Sequence, residues 1–288
     1  MSVLTVHHTT VYRYAEPVRL GEHRMMFRPR ASHDLRLIRT HLAIEPQPAY
    51  LRWLHDPFDN SVAVAVFEGT TSELRFESII TLEHFETSLS DYPLEEYARR
   101  YPFRYSDADL HILGCALAHH YPAERVSKWV LQFLDPSVAT DTMKVLRAMT
   151  HGIHNQFAYT RRFEKGVQTP EETLLRQQGS CRDLAVLMME GARSLGIAAR
   201  FVSGYLFTPN TSVLTGGGAT HGWMQVYLPG AGWIDFDPTN GIIGNRNLIR
   251  VAVASAPEQV LPLWGTYEGL SGISLGMDVT VSVTEESG

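Results

Sequence analysis

Across its 288 residues the chain carries only two cysteines, Cys115 and Cys181, too few for a disulfide framework or for a metal site built from several thiolates. It has no run of about 18 consecutive apolar residues, so no transmembrane helix is expected. The opening segment, MSVLTVHHTTVYRY, lacks a basic stretch followed by an apolar one, which gives no secretory signal and an expected cytoplasmic location. Positive charge is not in excess either: the net charge is −6, which argues against a broad surface for nucleic acid or anionic lipid. Arg24, Arg28, Arg30, Arg36 and Arg39 do cluster, but among acidic and apolar residues, as on a solvated strand face. Glycine-rich phosphate loops are missing, as are HExxH and any acidic run with calcium-loop spacing. The His119-His120 pair and His151 with His154 are the nearest approaches to a metal set, and the latter reads better as a solvated or capped helix end. No cofactor and no metal are expected.

What is present is a globular composition, 44% hydrophobic, and a shift in pattern along the chain. The first 90 residues read as β structure, with strands expected over Leu4–Tyr12, where the alternation is broken, Leu35–Ile44, Ser61–Phe67 and Leu74–Phe85. Residues 91–156 read as a helical connection, with helices over Pro93–Arg100, Ala108–His120, Ala123–Leu134 and from about Asp141. Residues 157–170 read as a loop, Thr173–Gln178 as a short helix, and residues 157–288 as a second domain ending in a strand at Val279–Val283.

Cys115 sits among core-type residues in LHILGCALAHH and reads as packing. Cys181 is different. It opens a helix, GSCRDLAVLMM, in which Ser180 caps and Asp183 completes a capping-box-like pair, with Arg182 and Asp183 better suited to salt-bridging or capping than to substrate contact. Leu184, Leu187, Met188 and Leu195 recur at helical spacing and Gly196 ends the element. A thiol in the first turn meets the positive end of the helix dipole and unpaired N–H groups, which favour a thiolate and can face an oxyanion.

Downstream, Ala199–Leu206 reads as a buried strand, and a glycine-rich stretch, 215–220, leads into HGWMQVY, a Leu228–Gly232 turn and WIDFD. These form a hairpin. If Tyr227 faces Trp233, then Gln225 faces Asp235 and Trp223 faces Asp237, so His221, Trp223, Trp233, Asp235 and Asp237 share one face. Asp237 is then the diagonal neighbour of His221, about 7–8 Å away between backbones and within side-chain reach, while Asp235 is one pair further. Cys181, His221 and Asp237 thus make a candidate nucleophile, base and orienting acid. Trp223 and Trp233 are candidates either for lining a cleft or for covering the core edge.

The segments GSCRDLAVLMMEGARSLGIAARFVSGYL, THGWMQVYLPGAGWIDFDPTNG and HNQFAYT resemble the transglutaminase-like superfamily. The N-terminal HHTTVYRYAEPVRLGEHRMMFRPR is similar to the N-terminal domain of bacterial transglutaminase-like candidate cysteine proteases. That resemblance implies an α+β protein: a β-rich N-terminal domain, then a papain-like catalytic domain whose cysteine-bearing helix packs on an antiparallel sheet. It places the family's nucleophile on Cys181, its base on His221 and its acid on Asp237. Gly222 departs from the alanine common in relatives, and a second oxyanion donor falls on Tyr159 or Gln156. The implied activity is thiol-dependent acyl chemistry on a peptide or glutamine-type amide. The acyl-enzyme is expected to be resolved by water; transfer to an amine, or a non-catalytic peptide-binding role, are the alternatives. A peptide or protein substrate is the expected partner.

Overall fold

The computed structural model describes residues 2–86, 92–121, 124–162, 164–209 and 214–286. Strand β1 (Ser2–Met25) pairs antiparallel with β5 (Thr70–His84) and, near its end, with β4 (Ser61–Val66). Strand β2 (Leu35–Glu45) pairs with β5, and β3 (Tyr50–His55) with β4, giving the order β2-β5-β1-β4-β3. The broken alternation of β1 has a structural cause. Leu4 and Val6 point into a core shared with the helices, whereas Tyr14, Val18, Leu20 and Met25 point into a second core closed by the sheet itself. The pairing register shifts between Arg13 and Val18, where the strand changes the face it buries. Arg24, Arg28, Arg30, Arg36 and Arg39 are exposed, as a solvated face requires.

The middle of the chain is helical: α1 (Asp107–Leu117), α2 (Glu124–Val130) and α3 (Thr142–Gln156), with a short 3-10 turn at Glu96–Ala98 in place of the helix expected over Pro93–Arg100. Ala123, expected to open a helix, lies outside the described residues, as does the expected boundary at residue 90. Small ladders join β6 (Arg100–Tyr101) to β7 (Thr140–Asp141), and β8 (Ala158–Tyr159) in parallel to β9 (Gln178–Gly179). Asp141 caps α3 by accepting from the Lys144 N–H at 2.7 Å, and α4 (Pro170–Arg176) follows a capping box formed by Thr169 and Glu172. One expectation fails here: Cys115 is exposed on α1, because Leu113 and Ala116 supply the buried stripe and Cys115 falls outside it.

Helix α5 (Cys181–Ser194) is buried on almost every side. It packs on a five-stranded antiparallel sheet ordered β13 (Ile242–Ile243), β12 (Gly232–Asp237), β11 (His221–Leu228), β10 (Ala199–Leu206) and β14 (Leu248–Ala254). Even its polar residues turn inward: Arg193 bonds Glu190 at 2.6 Å and the carbonyls of Ala116, Ala199 and Ser255, so neither buried charge is unpaired.

The last strands leave this sheet. β15 (Leu263–Glu268) and β16 (Ser274–Glu285), which includes the expected Val279–Val283 strand, both pair with β1 and complete the N-terminal sheet. The two halves also share one core, in which Leu4, Val6, Ile80 and Leu82 meet Leu184, Met188 and Tyr205. Across the join, Asn60 donates to the Val253 carbonyl and accepts from the Val253 N–H, both at 2.8 Å and buried, copying a strand pair. Asn60→Ala would strand both backbone groups away from water. The expected cost is about 2–4 kcal/mol, read as a lower urea midpoint. A shift within about 0.5 kcal/mol would show that this contact does not hold the halves together.

Candidate active site

The hairpin ladder pairs Tyr227 with Trp233 and Gln225 with Asp235, the register needed to put residues 221, 235 and 237 on one face. His221 Nε2 meets Asp237 Oδ2 at 2.9 Å, and both side chains are wholly buried. The Asp237 carboxylate has two further donors: the Thr239 N–H to Oδ1 at 2.9 Å and Asn240 Nδ2 to Oδ2 at 2.8 Å. Burial alone would raise the Asp237 pKa; the His221 charge and these three hydrogen bonds outweigh it and hold the carboxyl below its usual range.

With Nε2 engaged, Nδ1 is the imidazole nitrogen left for Cys181, and among the described residues it makes no hydrogen bond of ordinary geometry. Thiol–imidazole contacts of this kind commonly tighten only when a substrate is bound. Burial works against charge on either partner, yet each is shifted toward its ionised form. The thiol pKa is lowered by its interaction with the His221 imidazole and that ring's charge, with the Gly222 N–H adding to them. The imidazole is pushed up to about 10 by Asp237 first and Cys181 second. Both shifts favour a thiolate–imidazolium pair: the thiolate persists above its depressed pKa, the imidazolium below its raised one.

Local sequence explains how Cys181 comes to this place. It is the first residue of α5, and the Asp183 carboxylate accepts from the Ser180 N–H and hydroxyl, each at 2.8 Å, fixing the turn that presents the thiol. Asp183 also takes Arg162 at 2.8 Å and the Gln168 N–H at 2.7 Å, so the capping and salt-bridging role expected of it is the one it has. The β8–β9 ladder sets Tyr159 opposite Gly179, two residues before the thiol.

The glycine-rich stretch before His221 has a steric reason. Gly216 has φ +97°, and a Cβ there would lie 2.9 Å from His221 Nδ1. The stretch is tied from two sides. Asn240 accepts from the Thr215 N–H at 2.7 Å and donates to the Thr215 carbonyl, while the Val281 N–H of β16 donates to the Gly218 carbonyl at 3.0 Å. The glycine at 222, where relatives commonly carry alanine, also has a steric reason here, since a Cβ would lie 2.8 Å from the Phe201 ring.

Other expectations resolve differently. Neither Trp223 nor Trp233 lines the cavity beside Cys181: Trp223 is fully buried and donates to Asp235 at 2.7 Å, and Trp233 lies under the Arg200 guanidinium. Asp235 also accepts from Gln225 at 2.9 Å, so it serves the sheet and not His221. His154 Nδ1 lies 2.8 Å from the Thr239 carbonyl, which ties the end of α3 to the turn after Asp237. Among the described residues no group of three or more His, Cys, Asp or Glu is placed to hold a metal. Tyr159 reaches the cavity beside Cys181, whereas Gln156 is exposed at the end of α3 and does not. That cavity, about 980 Å³, is lined by Cys181, Arg182 and His221 on one side, with residues of β1, β15 and β16 completing its walls. Sequence reasoning missed Asn240, Thr239 and the sheet-borne wall. Only Asn240, three residues beyond Asp237 in a DPTN turn, left a local sign.

Residues 4–83 match the bacterial transglutaminase-like N-terminal region, and residues 134–238 match the transglutaminase-like superfamily. The chain thus carries one segment similar to the bacterial form of the transglutaminase-like N-terminal region and another similar to the core of the transglutaminase-like superfamily. It is 27% identical to an uncharacterized protein of Mycobacterium tuberculosis over 98% of this chain and 93% of that one. An uncharacterized protein of Mycobacterium leprae is 36% identical over 39% of this chain and 40% of its own. A solved structure from Cytophaga hutchinsonii, described as a candidate cysteine protease, shares the fold with a TM-score of 0.71 at 16% identity, over 100% of this chain and 91% of that one. Among the described residues no helix is long and apolar enough to cross a membrane.

The two carboxylates make a direct contrast. Asp237→Asn is expected to slow iodoacetamide alkylation of Cys181 at about pH 6 by tenfold or more, because the imidazolium that lowers the thiol pKa loses its counter-charge. Asp235→Ala should leave that rate within about twofold while lowering the urea midpoint, since it orphans two buried donors. Equal slowing by both variants would contradict the assignment.

Proposed function

We propose that this protein is a thiol-dependent acyl-transfer enzyme acting on peptide or glutamine-type amides, with Cys181 as nucleophile, His221 as acid–base and Asp237 as the group that orients His221. The observation that carries this reading is the buried His221–Asp237 hydrogen bond at 2.9 Å, which leaves Nδ1 for a thiol at a helix N-terminus.

The Cys181 sulfur bonds to the amide carbon, and charge moves onto the carbonyl oxygen. The N–H groups opening α5, and the Tyr159 hydroxyl that lines the same cavity, would stabilise that charge. The C–N bond then breaks and the leaving amine takes the proton from the His221 imidazolium. In the second half-reaction a water gives its proton to His221 and attacks the thioester carbon. The S–C bond breaks, releasing the acid and restoring the thiolate.

Hydrolysis is the favoured resolution, because transfer to an amine requires that water be kept from the thioester. A cavity of about 980 Å³ beside the thiol has room for a peptide segment and for water. The substrate is a peptide or protein, and a cytoplasmic location suits the two unpaired thiols.

Mass spectrometry of the intact chain after incubation with a glutamine-containing peptide library tests this. The expected result is an acyl adduct on Cys181 that decays to free enzyme and acid and is absent from Cys181→Ala. Decay that instead requires an added primary amine would assign a transferase. Absence of any adduct dependent on Cys181 would remove the enzymatic reading.

A further inference from the structure

The cavity beside Cys181 has a mixed lining. The N-terminal sheet and its neighbours contribute Met26, Leu261, Leu263, Met277 and Val279, with Phe201 of β10 beside them and the paired Glu22 and Arg24 among them. Elsewhere its lining carries the cationic side chains of Arg161, Arg162, Lys165 and Arg182. Three carboxylates also line the cavity, Glu22, Glu164 and Glu258. Two of them are engaged: Glu22 by Arg24 at 2.7 Å, and Glu164 by Arg162 at 3.5 Å. Arg162 is further held by the buried Asp183.

Arg182 and Lys165 are left without a salt bridge among the described residues. The position of Arg182 is notable on energetic grounds. It follows Cys181 in the first turn of α5, where the helix dipole disfavours a cation, and it is partly buried. The helix dipole therefore does not account for a cation there. Arg161 and Arg182 line the same cavity as Cys181 and Tyr159, so this positive charge shares the space beside the thiol. An unpaired, forked guanidinium beside a reacting centre matches a planar carboxylate.

We propose that Arg182, with Lys165, binds a carboxylate of the substrate, so that the site takes peptides bearing an acidic side chain beside the acylated residue, with apolar side chains resting on the sheet-borne wall. This rests on the reading of Cys181 as the nucleophile, but its recognition half can be measured without turnover.

The test uses the full chain carrying Cys181→Ala and fluorescent peptides with a central glutamine in an alanine–glycine background. One series places glutamate at each flanking position in turn, and its twin places glutamine there. A third arm compares free and amidated C-termini. Anisotropy should show at least one glutamate peptide binding about tenfold tighter than its glutamine twin at low salt. Adding Arg182→Gln should remove that preference, and Arg182→Lys should keep part of it. A preference confined to free C-termini would mean that the bound group is a terminal carboxylate, overturning the side-chain assignment. Equal binding of the two series, no binding by either, or a preference unchanged in Arg182→Gln would overturn the proposal, with circular dichroism confirming that the variant is folded. In the wild-type chain, acidic selectivity with no adduct on Cys181 would refute the acyl chemistry while leaving the recognition intact.

Discussion

A carboxylate with no access to water, Asp237, sets the state of everything around it. Three hydrogen bonds keep it charged, and its charge in turn holds the buried His221 imidazole protonated and in one orientation. Without that counter-charge, burial would drive both His221 and Cys181 to their neutral forms, since desolvation opposes charge on each. The backbone follows from the same need. Gly216 leaves room for the ring, Asn240 joins the carboxylate to the loop that passes the ring, and His154 ties α3 to the adjoining turn.

Much of this was legible in the sequence because it is local or periodic. The helix start at Ser180–Asp183 is written in four consecutive residues, and the hairpin register follows from a Gly/Pro turn between two alternating runs. Register, in turn, separates Asp237 from Asp235, which differ only by one pleat. What the sequence hid depends on packing between distant segments. Nothing local distinguishes a tryptophan that lines a cleft from Trp223, whose indole N–H is spent on Asp235. Cys115 reads as core because its neighbours are apolar, but two of them, Leu113 and Ala116, already fill the buried stripe of a short helix.

The N-terminal sheet shows the same limit on a larger scale. Its strands announce themselves by composition, yet the broken pattern in β1 gives no hint that the strand serves two cores in succession. Nor does any local signal tell that β15 and β16 return more than two hundred residues later to pair with β1. That return matters for the site. It puts Val281 on the glycine-rich stretch beside His221 and Leu263, Met277 and Val279 on the cavity wall, so the sheet is part of the site's architecture and not an appendage to it.

The central claim is that Cys181 and His221 rest as a charged pair. The direct measurement is the ultraviolet thiolate absorbance of a Cys115→Ser chain, with Cys181 as its single thiol, followed against pH. The account predicts thiolate already present well below the ordinary thiol range of about pH 8.5, lost on acidification, and shifted above that range in His221→Ala, where burial acts unopposed. A wild-type titration at about pH 8.5 or higher, unchanged by removal of His221, would contradict it.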